Sequence, residues 1–220
     1  MGTKTGTAVR LHPDILSEKQ NQVLHQCGSA MTKQGFYLAG GTAVALHIGH
    51  RRSIDFDWFT AEPLSDPLRL AQAMRDNGIP IRTRRTAQGT LHGSVSGVRI
   101  TCLQYTYPLL RPLVSMRMYG CLIASLDDLA CMKLAAISQR GSRKDFVDLF
   151  ALMKQHKRLP QMLRLYERKY SVGDVAHLLY AMTYFVDAEK EPMQAMIWKT
   201  GWKTMKSFIH SEVKRLSQRL

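Results

Sequence analysis

Hydrophobic positions along this chain recur with two periods, and the change from one to the other divides it. Over residues 14–34, Ile15, Val23, Leu24, Cys27 and Met31 fall at helical intervals, and Gly35 stands where a helix ends on a left-handed residue. FYLAG (36–40) predicts a short buried strand, and TAVALHIGH (42–50) a helix opening directly on Gly40 and Gly41. SIDFDWF (53–59) predicts a strand on which Asp55 and Asp57 share one face, because side chains alternate with period two. SDPLRLAQAMRDNG (65–78) predicts a helix with Ser65 at its N-cap, Pro67 in its first turn and Gly78 after its end. Between 79 and 107, IPIRTRRT, GTLHGSV and GVRITCLQYTY are short β-type runs separated by glycine-containing turns, which predicts a meander.

From Ser125 the period becomes helical and stays so. SLDDLACMKLAAISQR and SRKDFVDLFALMKQH are divided by Gly141-Ser142, and three or four more helical segments follow to Leu220. Ser125 with Asp128 three residues on resembles a capping box. The expected fold is therefore α/β (α+β) over residues 1–118 and all-α over 119–220. No repeat or low-complexity linker separates the two parts, so they are expected to pack tightly.

At 220 residues, 45% hydrophobic and 22% charged, the chain matches an ordinary globular protein of one generous domain or two small ones. No run approaches the roughly 20 apolar residues of a membrane span. The first residues, MGTKTGTAVRLHPD, lack an apolar leader segment, so a cytoplasmic location is expected. Cys27, Cys102, Cys121 and Cys131 form no CxxC pair, which favours buried reduced thiols over a zinc site or a disulfide framework. The charge changes the picture more. Thirty-one Lys and Arg against 17 Asp and Glu give +14, a balance that favours a polyanionic partner, nucleic acid before membrane. The competing reading is a solvated basic surface with no ligand.

Two carboxylates side by side on one strand face repel unless a cation is shared. A hard divalent ion such as Mg²⁺ takes oxygen ligands and leaves positions for phosphate. Gly40, Gly41 and Thr42, at a strand-to-helix junction, offer close backbone approach, outward-pointing helix amides and a hydroxyl. Each half alone is commonplace. Joined in this order, with Arg51 and Ser53 just before Asp55, they describe a phosphate cradle beside a metal, the equipment of phosphoryl or nucleotidyl transfer.

The stretch GGTAVALHIGHRRSIDFDWF, with SLDDLACMKLAAISQRGSRKDFVDLFALM downstream, resembles the nucleotidyltransferase toxins of the AbiEii/AbiGii group, minimal nucleotidyltransferases of bacterial toxin–antitoxin and abortive-infection systems. The resemblance is close over residues 36–60 and 119–155. It implies a nucleotidyltransferase-like mixed sheet flanked by helices, with a helical part completing the active site. It implies that Gly40, Gly41 and Thr42 bind nucleoside triphosphate, that Arg51 and Ser53 assist, and that Asp55 and Asp57 bind catalytic Mg²⁺ or Mn²⁺. It further implies functional roles for Lys133 and for Asp145 or Asp148, of which Asp148, embedded in FVDLF, has the greater need of a partner. A buried ion pair between Lys133 and Asp148 is the structural alternative. It implies transfer to an acceptor, most plausibly an RNA (tRNA) 3′ end, and a cognate antitoxin. One departure stands out: nucleotidyltransferase folds usually carry a third carboxylate on a neighbouring strand, and GVRITCLQYTY has none. Either phosphates complete the metal site, or Asp145 or Asp148 fills in, or the chain mainly binds nucleotide. Modification of a small molecule or a protein hydroxyl is the remaining alternative.

Overall fold

Capping side chains and glycines set where the elements of this protein begin and end. The computed structural model describes residues 10–218; the stretch 1–9, on which most of the expectation about a leader segment falls, and residues 219–220 lie outside the described residues. Helix α1 (Glu18–Lys33) starts later than the spacing suggests. Ser17 and Gln20 form a full capping box, and residues 13–15 make a separate 3-10 turn. After Gly35, strand β1 (Tyr37–Ala39) runs straight into α2 (Gly40–Ile48), whose residues from Thr42 to Ile48 are all buried. Strand β2 (Asp55–Thr60) follows, then α3 (Pro67–Asp76). The N-cap of α3 is Asp66 rather than Ser65: its carboxylate accepts from the amides of Leu68 and Arg69.

The meander is β3 (Arg82–Ala87), β4 (Thr90–Val95) and β5 (Val98–Gln104). Two short strands that periodicity does not reveal, β6 (Val114–Met116) and β7 (Cys121–Ile123), come next. The seven strands form one mixed sheet in the order β3-β4-β5-β2-β1-β7-β6. β2 is antiparallel to β1 and parallel to β5, and β7 is parallel to β1. The sheet's last strand thus lies beyond residue 118, where the sequence suggests a division, and it passes into the helical part within two residues.

That part comprises α4 (Leu126–Gln139), α5 (Arg143–Gln155), α6 (Leu159–Tyr170), α7 (Ala176–Thr183), α8 (Val186–Glu189) and α9 (Trp202–Ser217). Ser125 caps α4 by accepting from the Asp128 amide. The apolar helix α2 packs against the sheet and against α4 and α5, so one hydrophobic core runs through both parts. The four cysteines are free and buried, and burial pushes the thiols of Cys27, Cys121 and Cys131 up to about 12. Among the described residues, no helix is long and apolar enough to cross a membrane.

Candidate active site

Strand β2 alternates cleanly. Phe56 and Trp58 are fully buried on one face, while Asp55, Asp57 and Phe59 lie on the other. That second face floors a cavity of about 670 Å³ between the sheet and α4. Gly40 (φ +68°) begins α2 at its edge, and a Cβ there would overlap the Asp57 carboxylate. A Cβ on Gly41 would meet the Arg51 guanidinium. The diglycine is therefore demanded by the approach of these two side chains. No side chain caps α2, which leaves first-turn amides without intrahelical partners beside the cavity.

The two aspartates differ. Asp55 is gripped by Arg99 across the parallel β2–β5 pair, Nε to Oδ1 at 2.6 Å and Nη2 to Oδ2 at 3.0 Å. The Asp57 carboxylate has no hydrogen-bond partner among the described residues. Burial pushes it above the ordinary carboxylate value; Lys133 and Lys144 offset this only in part, and Asp55 adds to it. An ionisable group held this way is short of a cation. Two oxygen-donor side chains on one face, one of them unpartnered, suit a divalent ion whose remaining ligands come from elsewhere. The protein alone does not complete such a site: no cluster of three or more His, Cys, Asp or Glu arranged for a metal occurs among the described residues.

Beneath the glycine turn lies a buried ionic cluster. Asp148, fully buried, accepts from Arg51 Nε (2.7 Å) and Nη2 (2.9 Å) and contacts His50 Nε2 (2.8 Å). Lys133 Nζ lies 2.7 Å from Asp148 and 2.9 Å from Asp145. Asp145 is in turn held by Arg140 at 2.8 and 3.2 Å. Burial raises the carboxyl of Asp148, but Arg51 and Lys133 overcompensate and hold it well below its usual value. Burial likewise opposes the charge of Lys133, and the two aspartates keep it protonated beyond its ordinary range.

These positions correct two expectations. Asp145 and Asp148 do not supply the missing third carboxylate; neither lines the cavity, and their oxygens are consumed by cations. The Thr42 hydroxyl does not face the cavity either. It donates to the Asp55 carbonyl and ties α2 to β2. Two later basic residues are engaged internally: Lys169 is buried against Asp128 at 2.8 Å, and Lys157 is bound to Asp127 at 2.6 Å. Gly40, Gly41, Arg51, Ser53, Asp55, Asp57 and Lys133 do converge on one cavity.

Part of that cavity's lining has no motif in the sequence to mark it. Tyr105, Tyr107 and Tyr170 form an aromatic nest, with centroids 5.2 Å apart for Tyr105–Tyr107 and 4.7 Å for Tyr107–Tyr170. The Tyr105 and Tyr170 hydroxyls are 2.6 Å apart. Lys169 fixes the nest by donating to both Asp128 and the Pro108 carbonyl (2.7 Å). The C-terminal part adds a wall at residues 192–195, held by Arg52 N donating to the Ala195 carbonyl at 2.8 Å. YTY beside PLL is the one local signal that marks such a lining, and the contact with Tyr170 is not visible in linear order.

No family model matches the sequence. The chain is 34% identical over 201 residues to the uncharacterized protein aq_aa25 of Aquifex aeolicus, covering 90% of this chain and 96% of that one. Among solved structures, the fold is similar to MenT4, a nucleotidyltransferase toxin (Rv2826c) of Mycobacterium tuberculosis. The TM-score is 0.58 at 14% identity over 90% of this chain and 82% of that one. A Helicobacter pylori protein assigned as a nucleotidyltransferase gives a TM-score of 0.56 at 15% identity over 93% and 97% of the two chains. The fold is thus a mixed α/β one of the kind found in nucleotidyltransferases.

Proposed function

The chain belongs to one family with the uncharacterized protein aq_aa25 of Aquifex aeolicus, and from that premise we propose that it is a nucleotidyltransferase that moves NMP from an NTP to an acceptor. One observation carries the reading: the unpartnered Asp57 carboxylate lies against Gly40 at the uncapped start of α2, inside a cavity of nucleotide size. The phosphates fit between the α2 amides and the aspartates, with Ser53 at hand and the cations of Lys133, Arg140 and Lys144 around them. The base fits against the Tyr107–Tyr170 nest, where aromatic stacking is worth about 1–3 kcal/mol per base. Asp55 and Asp57 would hold Mg²⁺ or Mn²⁺, which would supply charge neutralisation at the phosphates and acidify the attacking hydroxyl.

The protein's part is positioning and electrostatics. The acceptor oxygen bonds to the α-phosphorus, the bridging P–O bond to the β-phosphate breaks, and pyrophosphate leaves with the bonding pair. Arg99 must share or release Asp55 as the site fills. The acceptor in this reading is an RNA, a tRNA 3′ end, which the +14 charge favours. MenT4 is described as a toxin; together with the resemblance to the AbiEii/AbiGii group, this supports a toxin acting in the cytoplasm under a cognate antitoxin.

Incubating the purified protein with total tRNA, Mg²⁺ and each α-labelled NTP tests this. Label entering RNA is the expected result. Label only on protein or a small molecule would move the acceptor class. Nucleotide binding without any transfer would leave a binding protein, the reading that the absent third carboxylate favours.

A further inference from the structure

The sheet face that floors the cavity continues outward, uncovered, across β5, β4 and β3. Register fixes what stands on it. Asp57 on β2 pairs with Thr101 on β5, which pairs with His92 on β4. The next row out runs Asp55, Arg99, Ser94 and Arg82. On β4 the buried residues are Leu91, Gly93 and Val95, so His92 and Ser94 lie half-buried on the open face. Residues 82–104 contain four arginines and no Asp or Glu at all. Next to the aspartates, then, the neighbouring strands offer a single side chain that can accept a proton near neutral pH, and it is an imidazole.

We propose that His92 takes the proton from the acceptor hydroxyl, the task for which nucleotidyltransferase-like sites with a third carboxylate have that group to hand. The inference rests on the nucleotidyl-transfer reading above. His92 Nδ1 lies 3.4 Å from Thr101 Oγ1. With Nδ1–H donating to that hydroxyl, the Nε2 lone pair is left to accept a proton. Two strand spacings, about 10 Å, separate the Asp57 and His92 columns. That gap accommodates a phosphoryl group and an attacking oxygen between them. In the step, the acceptor O–H bond breaks, its proton goes to Nε2, and its electron pair forms the new O–P bond. The bridging P–O pair departs with pyrophosphate, and the imidazolium later releases its proton to water. The charged groups facing His92 are Arg85, directly opposite on β3, and Arg99, diagonal on β5. Helix α3 lies against β3 and β4, on the face of Leu91 and Val95.

The test compares wild type with His92→Gln and Thr101→Val in single-turnover transfer to tRNA from pH 5 to 9, alongside NTP affinity and melting temperature. His92→Gln is expected to transfer about 100-fold or more slowly at pH 7 and to lose the acid limb of the wild-type profile. Its NTP affinity should stay within about twofold and its melting temperature should match wild type. Thr101→Val, which frees the ring's tautomer and orientation, should show a smaller loss with the acid limb kept. A His92→Gln protein with wild-type rate and an intact acid limb overturns the proposal. So does one whose loss is matched by weaker NTP binding, or by a lower melting temperature that Thr101→Val shares. A wild type that binds NTP but transfers to nothing overturns it together with the enzyme reading, and is recognised without any variant.

Discussion

A carboxylate without a partner, such as Asp57 against Gly40, costs the fold free energy whenever it is ionised, because burial strips its solvation and nothing fully replaces it. With its folded value raised above the unfolded one, the sign is definite: the native state loses stability as pH rises through that value. Asp57→Asn should therefore raise stability at neutral pH, by about 0.5–2 kcal/mol, while abolishing transfer. Urea unfolding beside the tRNA-labelling assay checks both, and an active or a destabilised Asp57→Asn would contradict this account. Asp148 behaves oppositely. Removing it leaves Arg51, Lys133 and His50 around an empty centre, so Asp148→Ala should destabilise by about 3–5 kcal/mol. Lys133 belongs to both the cavity wall and the ion cluster. Lys133→Met should lower transfer and melting temperature together; a lowered melting temperature with an unchanged rate would assign it a structural role alone.

At the scale of elements, α4 and the loops around it are held by carboxylates whose folded values are depressed. Burial raises Asp127, yet Lys157, Arg111 and His156 bring it to about 2, and Asp145 is lowered against its burial by Lys133 and Arg140. The stability these groups supply is fully present above the unfolded carboxylate value of about 3.9. It is lost as pH falls toward the folded values. Thermal midpoints should drop steeply between about pH 4 and pH 2; a flat profile there would show that the ion pairs contribute nothing net. The elements carrying Asp55, Asp57 and the diglycine are legible in the chain because they follow strict local rules: period-two alternation, and a glycine pair at a strand–helix junction. β6 and β7 are not, since three-residue strands have no measurable period and β7 gains its place by pairing with β1 on one side and β6 on the other. Asp148 is legible as needing a partner, and Lys133 as a candidate that does pair with it, but its other partners, Arg51 and His50, are 97 and 98 residues away. For the same reason the tyrosine nest escapes a linear reading: Tyr105 and Tyr170 are 65 residues apart.

For the molecule as a whole, the +14 charge is unevenly spent. Arg51, Lys133 and Lys169 are buried in ion pairs, whereas Arg82, Arg84 and Arg85 on the edge strand β3 are exposed and adjoin the open sheet face. RNA binding should weaken with salt by a slope of about 0.7–0.9 per phosphate contacted, and replacing these three arginines by alanine should flatten it while leaving NTP affinity unchanged. Equal salt slopes for the two proteins would remove β3 from the RNA path. The central claim, that triphosphate and divalent ion meet between the acidic strand and the diglycine turn, is tested most directly by a crystal structure with Mn²⁺ and a non-hydrolysable NTP. The account predicts an anomalous peak touching Asp55 and Asp57, phosphates on the first amides of α2, and the base against Tyr107 and Tyr170. Nucleotide bound elsewhere, or a metal that touches neither aspartate, would contradict it.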